Sequence, residues 1–216
     1  MSVLALNDIC FSYGKTPVIK DLSLEFEKGK MYCIMGKSGA GKTTLLSILS
    51  GLASPDSGTI LFEGKDIKNV NKYTFRSRYI GVVFQSYNLI TKFTAVENVM
   101  LSMDIAKIKG IKKRQKALEL LMGVGLDEDE ANRRVLKLSG GQQQRVAIAR
   151  ALSHNPDIIL ADEPTGNLDS DMQNEIMEVF KNLALNGKCV ILVSHSPEVA
   201  KMCDETYELK PQNKLK

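Results

Sequence analysis

An α/β fold is predicted by two patterns in this 216-residue chain. Short, continuously apolar runs at Met31 to Met35, Ile80 to Phe84, Ile158 to Ala161 and Val190 to Val193 have the make-up of strands covered on both faces. Between the second and third runs, roughly Ala95 to Ser153, polar and apolar residues alternate at helical spacing instead. The layout is an α/β core carrying an inserted helical lobe.

The N-terminal stretch reads as paired strands. Leu22, Leu24 and Phe26 alternate with Ser23, Glu25 and Glu27, the period of a half-buried antiparallel strand, and Gly29 marks the turn that follows. Met31 to Met35 then leads through a glycine-rich loop into a helical run, Lys42 to Ser50. In the helical region, Ile111, Leu118, Leu121 and Met122 fall on one face, with Lys112, Lys113, Arg114 and Lys116 largely off it. That basic run reads as a solvated helix face, with contact to phosphate or anionic lipid as the alternative. No repeat, low-complexity segment or linker divides the chain.

Composition narrows the class. Hydrophobic residues make up 44% and charged residues 25%, the proportions of a globular chain rather than a disordered or disulfide-stapled one. Surface scaling withdraws about 70% of the unfolded chain's surface from water, enough for one substantial core. No apolar run approaches the ~18 residues of a membrane span. The start, Met1 to Lys15, carries Asp8 within an alternating pattern unlike a signal peptide. A secreted or membrane-spanning chain is therefore not expected. The net charge of +4 does not require a nucleic-acid partner, and none is expected. Cys10, Cys33, Cys189 and Cys203 are scattered, and with only two histidines a zinc site is not expected; a reduced cytosolic setting fits.

Gly36-Lys37-Ser38-Gly39-Ala40-Gly41-Lys42-Thr43 fits the phosphate-loop pattern G-x-x-x-x-G-K-[ST] at every fixed position, between a buried strand and a helix. Glycines let successive backbone N–H groups point into one concavity, and the helix N-terminus adds donors and a dipole favourable to phosphate. Lys42 can reach the β- and γ-phosphates, and the Thr43 hydroxyl can ligate Mg²⁺. A glycine turn that binds nothing leaves the Lys-Thr pair unexplained. These eight residues, with the adjoining Thr44, form the candidate site for the phosphates of a nucleoside triphosphate.

Ile158 to Pro164 is a second buried strand, ending in the acids Asp162 and Glu163. Ligands of open α/β sheets collect beyond the carboxyl ends of strands, where this pair and the phosphate loop both fall. Neighbours on a strand point to opposite sides, so the two acids should differ in role: Asp162 to hold hydrated Mg²⁺, Glu163 to polarise the attacking water. Alone, such an acidic end serves as a solvated cap. Val190 to His195 ends a third strand in a histidine whose imidazole could hydrogen-bond a γ-phosphate oxygen or the water; alone, it reads as structural. His154, before Asn155-Pro156, reads as a helix-end residue with no assigned role.

Leu138-Ser139-Gly140-Gly141-Gln142 precedes a strong helical pattern, with Ser139 as N-cap and two glycines exposing backbone donors. Ser139 lies 97 residues after Lys42 and 23 before Asp162. In this arrangement the sequence resembles the ATP-binding-cassette (ABC) ATPases, over nearly the whole chain. The resemblance implies an α/β P-loop NTPase core with a mixed sheet, an N-terminal antiparallel β subdomain and an inserted α-helical subdomain at approximately residues 86–155, in one domain over 1–216. It implies that Tyr13 stacks on the adenine of ATP and that Gln85 senses Mg²⁺ and water. It further implies that Ser139, Gly140, Gly141 and Gln142 bind the γ-phosphate of ATP held by the opposite subunit. Asn167-Leu168-Asp169 resembles the loop that communicates across the dimer, and His195 the switch histidine. A homodimer with ATP at the interface follows.

Ala161 to Ser170, Phe75 to Gln85 and Phe93 to Val99 resemble the subfamily containing lipoprotein-release, macrolide-export and antimicrobial-peptide-resistance ATPases. Two positions depart from it: Leu101-Ser102 stands where Leu-Pro is frequent, and Ser196, rather than Asp, follows His195. The expected function is the ATP-hydrolysing subunit of a bacterial ABC transporter, a peripheral protein on the cytoplasmic face of the membrane. It would drive an integral-membrane permease on a separate chain that exports or extracts a peptide, lipoprotein or drug-like substrate. The alternative is an ATPase of a mechanotransmission or sensor complex that moves no substrate. Ribosome-acting cassettes usually join two cassettes in one chain, and chromosome ATPases of the superfamily carry a coiled-coil insertion that this sequence lacks. Permease docking is expected near Gln85 to Val99, with Tyr87, Leu89, Ile90 and Phe93 as contacts or, alternatively, as lobe core. The chain ends soon after a last strand at Thr206 to Leu209, so no C-terminal regulatory domain is expected.

Overall fold

Strand β1 (Ser2–Tyr13) pairs antiparallel with β2 (Thr16–Glu27), where Phe26 is buried and Ser23 and Glu25 face water, as the alternation predicts. The computed structural model describes residues 2–211; Met1 and residues 212–216, part of the expected single domain, lie outside the described residues. Gly29 turns the chain at φ 81° into β3 (Met31–Met35), which sends Met31 and Cys33 to one face of a sheet and Tyr32 and Ile34 to the other. All four are buried, which is why the run carries no polar residue.

Helix α1 (Lys42–Leu49) follows the glycine-rich loop. Strands β4 (Ser57–Phe62) and β5 (Lys65–Asp66) complete a four-stranded antiparallel sheet in the order β2-β1-β4-β5. Helix α2 (Lys72–Tyr79) then leads into β6 (Ile80–Val83). Strands β7 (Ile158–Asp162), β8 (Cys189–Ser194) and β9 (Glu205–Glu208) join β6 and β3 in a five-stranded sheet, ordered β6-β7-β8-β3-β9 with every pairing parallel. The mixed strand directions expected from the sequence are thus divided between two sheets.

Between β6 and β7 the chain forms α3 (Ala95–Ile105), α4 (Lys113–Gly123), α5 (Glu128–Asn132) and α6 (Gly140–Leu152). Reciprocal capping boxes open three of these: Thr94 with Glu97, Asp127 with Glu130, and Ser139 with Gln142. Helix α7 (Ser170–Leu185) packs on the sheet between β7 and β8, and α8 (Pro197–Lys201) precedes β9. One apolar cluster joins Cys33, Ala161 and Leu192 to α3, α4, α6 and α7; the other joins Ile34, Leu160 and Ile191 to α1 and the antiparallel sheet.

The expected face of α4 needs correction. The helix begins at Lys113, so Ile111 lies before it and is exposed, and Met122 is 60% exposed. The buried positions are Ala117 and Leu121, one turn apart, with Leu118 and Leu120 half-buried beside them. The basic run is a solvated face: Lys113 pairs with Asp104, Arg114 donates to Asn132 Oδ1 at 2.7 Å, and Lys116 pairs with Glu119 at 3.2 Å.

Candidate active site

Strand register gathers the site. Val83 pairs with Ala161, Ala161 with Leu192, and Leu192 with Cys33. Two residues further along each strand path come Gln85, Glu163, Ser194 and Met35, so the exits from four strands meet at one edge of the sheet.

The loop from Gly36 to Gly41 leaves β3 at that edge. Gly41 is the N-cap of α1 at φ 93°, and a Cβ there would lie 2.8 Å from Val18 Cγ1, so only glycine fits. No side chain caps this helix, in contrast to α6, and its first-turn donors remain for a ligand. Lys42 Nζ donates to the carbonyls of Gly36 at 2.8 Å and Lys37 at 3.3 Å, arching the loop over its own ammonium. The Ala40 N–H closes the turn on the Lys37 carbonyl at 3.1 Å, and the Ala40 side chain is buried. Ser38, Gly39, Gly41, Lys42, Thr43 and Thr44 line an open cleft.

Thr43 Oγ1 donates to Asp162 Oδ2 at 3.3 Å, joining α1 to the end of β7. Asp162 continues the strand's alternation on the α1 side, the face of Ile158 and Leu160. Burial, helped by the Glu163 charge, raises its carboxyl pKa above the ordinary value, while Thr43 and Lys42 oppose the shift. Thr43, Asp162 and the Gln85 amide present oxygen donors of the kind a hard divalent cation takes. At the mouth, Tyr13 is 63% exposed, its hydroxyl 3.5 Å from Thr44 Oγ1 and its ring edge-on to Phe11.

Glu163 leaves the strand through a left-handed backbone at φ 45°, a strain of about 1–3 kcal/mol for a side-chain-bearing residue. Its N–H donates to Val193 O at 2.9 Å and its carbonyl accepts from Gly166 N–H at 3.1 Å, which hold the turn. The side chain is largely buried, and Oε1 accepts from His195 Nδ1 at 2.9 Å. A neutral His195 so oriented offers its Nε2 lone pair as an acceptor; only the imidazolium also donates there. Gln85 borders the same cleft, and its carbonyl accepts from Asn167 Nδ2 at 3.4 Å.

Tyr13, Ser38, Gly39, Gly41 to Thr44, Gln85, Asp162 and Glu163 therefore share one cleft, with His195 attached through Glu163; Gly36, Lys37 and Ala40 complete the loop without lining it. Ser139, Gly140, Gly141 and Gln142 are placed elsewhere. Ser139 Oγ accepts from Gln142 N–H at 3.2 Å, Gln142 Oε1 accepts from Ser139 N–H at 2.8 Å, and Gln142 Nε2 reaches Glu130 Oε1 at 2.5 Å. Gly141 packs on α7, where an added Cβ would lie 1.8 Å from Met172 Cε. A Cβ on Gly140 would lie 3.2 Å from the Tyr87 hydroxyl.

Two residues that sequence reasoning missed brace the loop after Gln85. Arg150 donates to the carbonyls of Tyr87, at 2.8 Å, and Asn88. Burial lowers its guanidinium pKa from the ordinary value. Asn98, buried in α3, accepts from Ile90 N–H at 2.8 Å and donates to Ile90 O at 3.2 Å. An asparagine among the apolar positions of a helix was the available signal for Asn98; Arg150 left none. Of the four expected docking residues, Tyr87 and Leu89 pack on the helical core, whereas Ile90 and Phe93 are exposed. His154 Nε2 donates to Ile80 O at 3.0 Å, a structural tie between α6 and β6.

The ABC transporter family matches residues 19–166 of the chain. The chain is 45% identical over 212 residues to the uncharacterized ABC transporter ATP-binding protein YclH of Bacillus subtilis, covering 97% of this chain and 94% of that protein. It is 39% identical over 211 residues to the lipoprotein-releasing system ATP-binding protein LolD of Bacteroides thetaiotaomicron, covering 96% of each. The fold matches the dimeric structure of MJ0796, described as a bacterial ABC transporter cassette, with a TM-score of 0.86 and 38% identity over 96% of this chain and 94% of that one.

Proposed function

This chain belongs to the ABC transporter family and is an ATP hydrolase, and we propose that two copies close head-to-tail on two ATP molecules to drive a membrane permease. The observation that carries this reading is a separation: the phosphate loop, Asp162 and Glu163 share a cleft that Ser139 to Gln142 do not line. A second copy supplies the missing segment to the cleft, a reading that the dimeric structure of MJ0796 supports.

In the proposed site Tyr13 stacks on adenine, the loop amides and Lys42 hold the β- and γ-phosphates, and Thr44 supports the loop beside Tyr13. Thr43, Asp162 and Gln85 would hold Mg²⁺, which when bound neutralises phosphate charge. Glu163 accepts the proton of the attacking water as its oxygen bonds to the γ-phosphorus and the bond to the β-phosphate oxygen breaks, leaving ADP and phosphate. His195 orients Glu163. ATP favours the closed dimer because both copies contact its phosphates, and hydrolysis removes those contacts.

The cassette is read as one domain over 1–216, with residues 86–155 as the helical subdomain. No helix among the described residues is long and apolar enough to cross a membrane. The permease is assigned to a separate chain, and this subunit to the cytoplasmic face of the membrane, with Ile90 and Phe93 as docking contacts. The proposed substrate is a lipoprotein, peptide or drug-like molecule that is extracted or exported; the similarity to LolD supports the lipoprotein.

The test is co-purification of tagged Glu163→Gln protein from detergent-solubilised cells with Mg-ATP. One stoichiometric multi-span protein is expected, and its extracytoplasmic part narrows the substrate or points to mechanotransmission instead. Recovery of ribosomes or nucleic acid without a membrane protein contradicts the partner assignment.

A further inference from the structure

We propose that Arg150 is a positioning residue that straps the Gln85 loop to helix α6 and thereby links the Ser139–Gln142 segment to the Gln85 side of the cleft. The inference rests on the role given to Gln85 above.

Tyr87 and Asn88 are consecutive non-glycine residues in the left-handed region, at φ 59° and 50°. Such a pair persists only where its surroundings fix it. The planar guanidinium of Arg150 takes both of their carbonyls, an arrangement that suits its fork and that a lysine ammonium reproduces only in part. The same Tyr87 extends its hydroxyl to the opposite end of α6, next to Gly140. One loop residue is therefore held by the last turns of α6 through its backbone and rests against the first turn through its side chain.

Asn98 anchors the loop further on, at Ile90. Gln85 sits just before this braced segment, and its own carbonyl accepts a long contact from Asn167 at 3.4 Å. A shift of α6 is then delivered to Gln85. In the proposed dimer Ser139 meets the ATP bound to the other copy, whereas Gln85 serves the ATP of its own copy. Arg150 thus connects the two nucleotides.

Hydrogen exchange on the full chain, together with steady-state ATP turnover, tests this. Arg150→Met should quicken the amides of residues 85–90 while leaving those of β7, β8 and α7 at wild-type rates. It should lower kcat about 10- to 100-fold, as a misplacement of about 1 Å does, with ATP affinity within about twofold of wild type because the phosphate loop is untouched. Arg150→Lys, which keeps the charge and one donor direction, should fall between the two. In a Gln85→Ala background Arg150→Met should cost no further turnover. Unchanged exchange at 85–90 in both variants, or fully additive losses with Gln85→Ala, overturns the proposal. If the loop amides quicken but Gln85→Ala alone turns over at the wild-type rate, the strap stands and the role assigned to Gln85 falls.

Discussion

His195 Nδ1 donates to Glu163 Oε1 across 2.9 Å, tying the residue after β8 to the residue after β7. Glu163 is largely buried while the His195 side chain is 71% exposed, so the histidine reaches in from the open side of the cleft. The pair leaves the second carboxylate oxygen of Glu163 for a water. Glu163→Gln should lower turnover by about 100-fold or more, the range for loss of a general base, while Mg-ATP still binds. His195→Ala should cost about 10- to 100-fold, matching one charge-assisted hydrogen bond of about 1.5–3 kcal/mol. Single-turnover hydrolysis separates the two effects; a His195→Ala chain with wild-type turnover would remove the histidine from the proposed mechanism.

Lys42 spends two of its three donors on the carbonyls of Gly36 and Lys37 and keeps one for the phosphates. Lys42→Ala loses the phosphate contact and the brace of the loop together. The dissociation constant for Mg-ATP should rise by at least about 10- to 100-fold. Calorimetric titration giving unchanged affinity is the outcome that contradicts the phosphate-loop assignment.

Gly141 and Met172 fit each other because one has no side chain. Gly141→Ala forces the Met172 thioether aside and should cost about 1–3 kcal/mol of stability, the range for overpacking. The same substitution in a Met172→Ala background should cost little. Urea denaturation of the four chains of this cycle measures the coupling, and equal costs in both backgrounds would show that the contact carries none of the strain.

His154 gives a pH dependence whose sign is fixed by burial, which lowers its pKa below the ordinary 6.5; the Ile80 carbonyl opposes the shift and Lys188 adds to it. Between the lowered folded value and about 6.5, the unfolded chain binds a proton that the folded chain does not, so stability falls as the pH drops through that window. His154→Gln should flatten this part of the profile. Melting temperatures of both chains, taken from about pH 7.5 down to about pH 5, check it; parallel profiles would exclude His154 as the source.

The strands were legible because a run buried on both faces favours apolar residues, as Met31 to Ile34 and Cys189 to Val193 show. That the phosphate loop, Asp162 and Glu163 would meet at one edge of the sheet was legible because each follows an apolar strand run. Helix α4 was misjudged because Ala117, a small residue, is the buried anchor, while the larger Met122 faces water. Arg150 was invisible for a different reason. Its partners are two backbone carbonyls more than sixty positions away, and no residue pattern encodes a carbonyl. The turn at Glu163 likewise replaces the simple alternation expected after Asp162, because a left-handed residue redirects the side chain toward β8.

In the proposed cycle ATP joins two copies of this chain through the segment that its own cleft lacks. Sedimentation velocity of Glu163→Gln, with and without Mg-ATP, tests it most directly. A monomer that converts to a dimer on adding Mg-ATP, and stays monomeric when Ser139→Arg is added in the same chain, is the predicted result. A chain that remains monomeric with ATP bound stoichiometrically contradicts it.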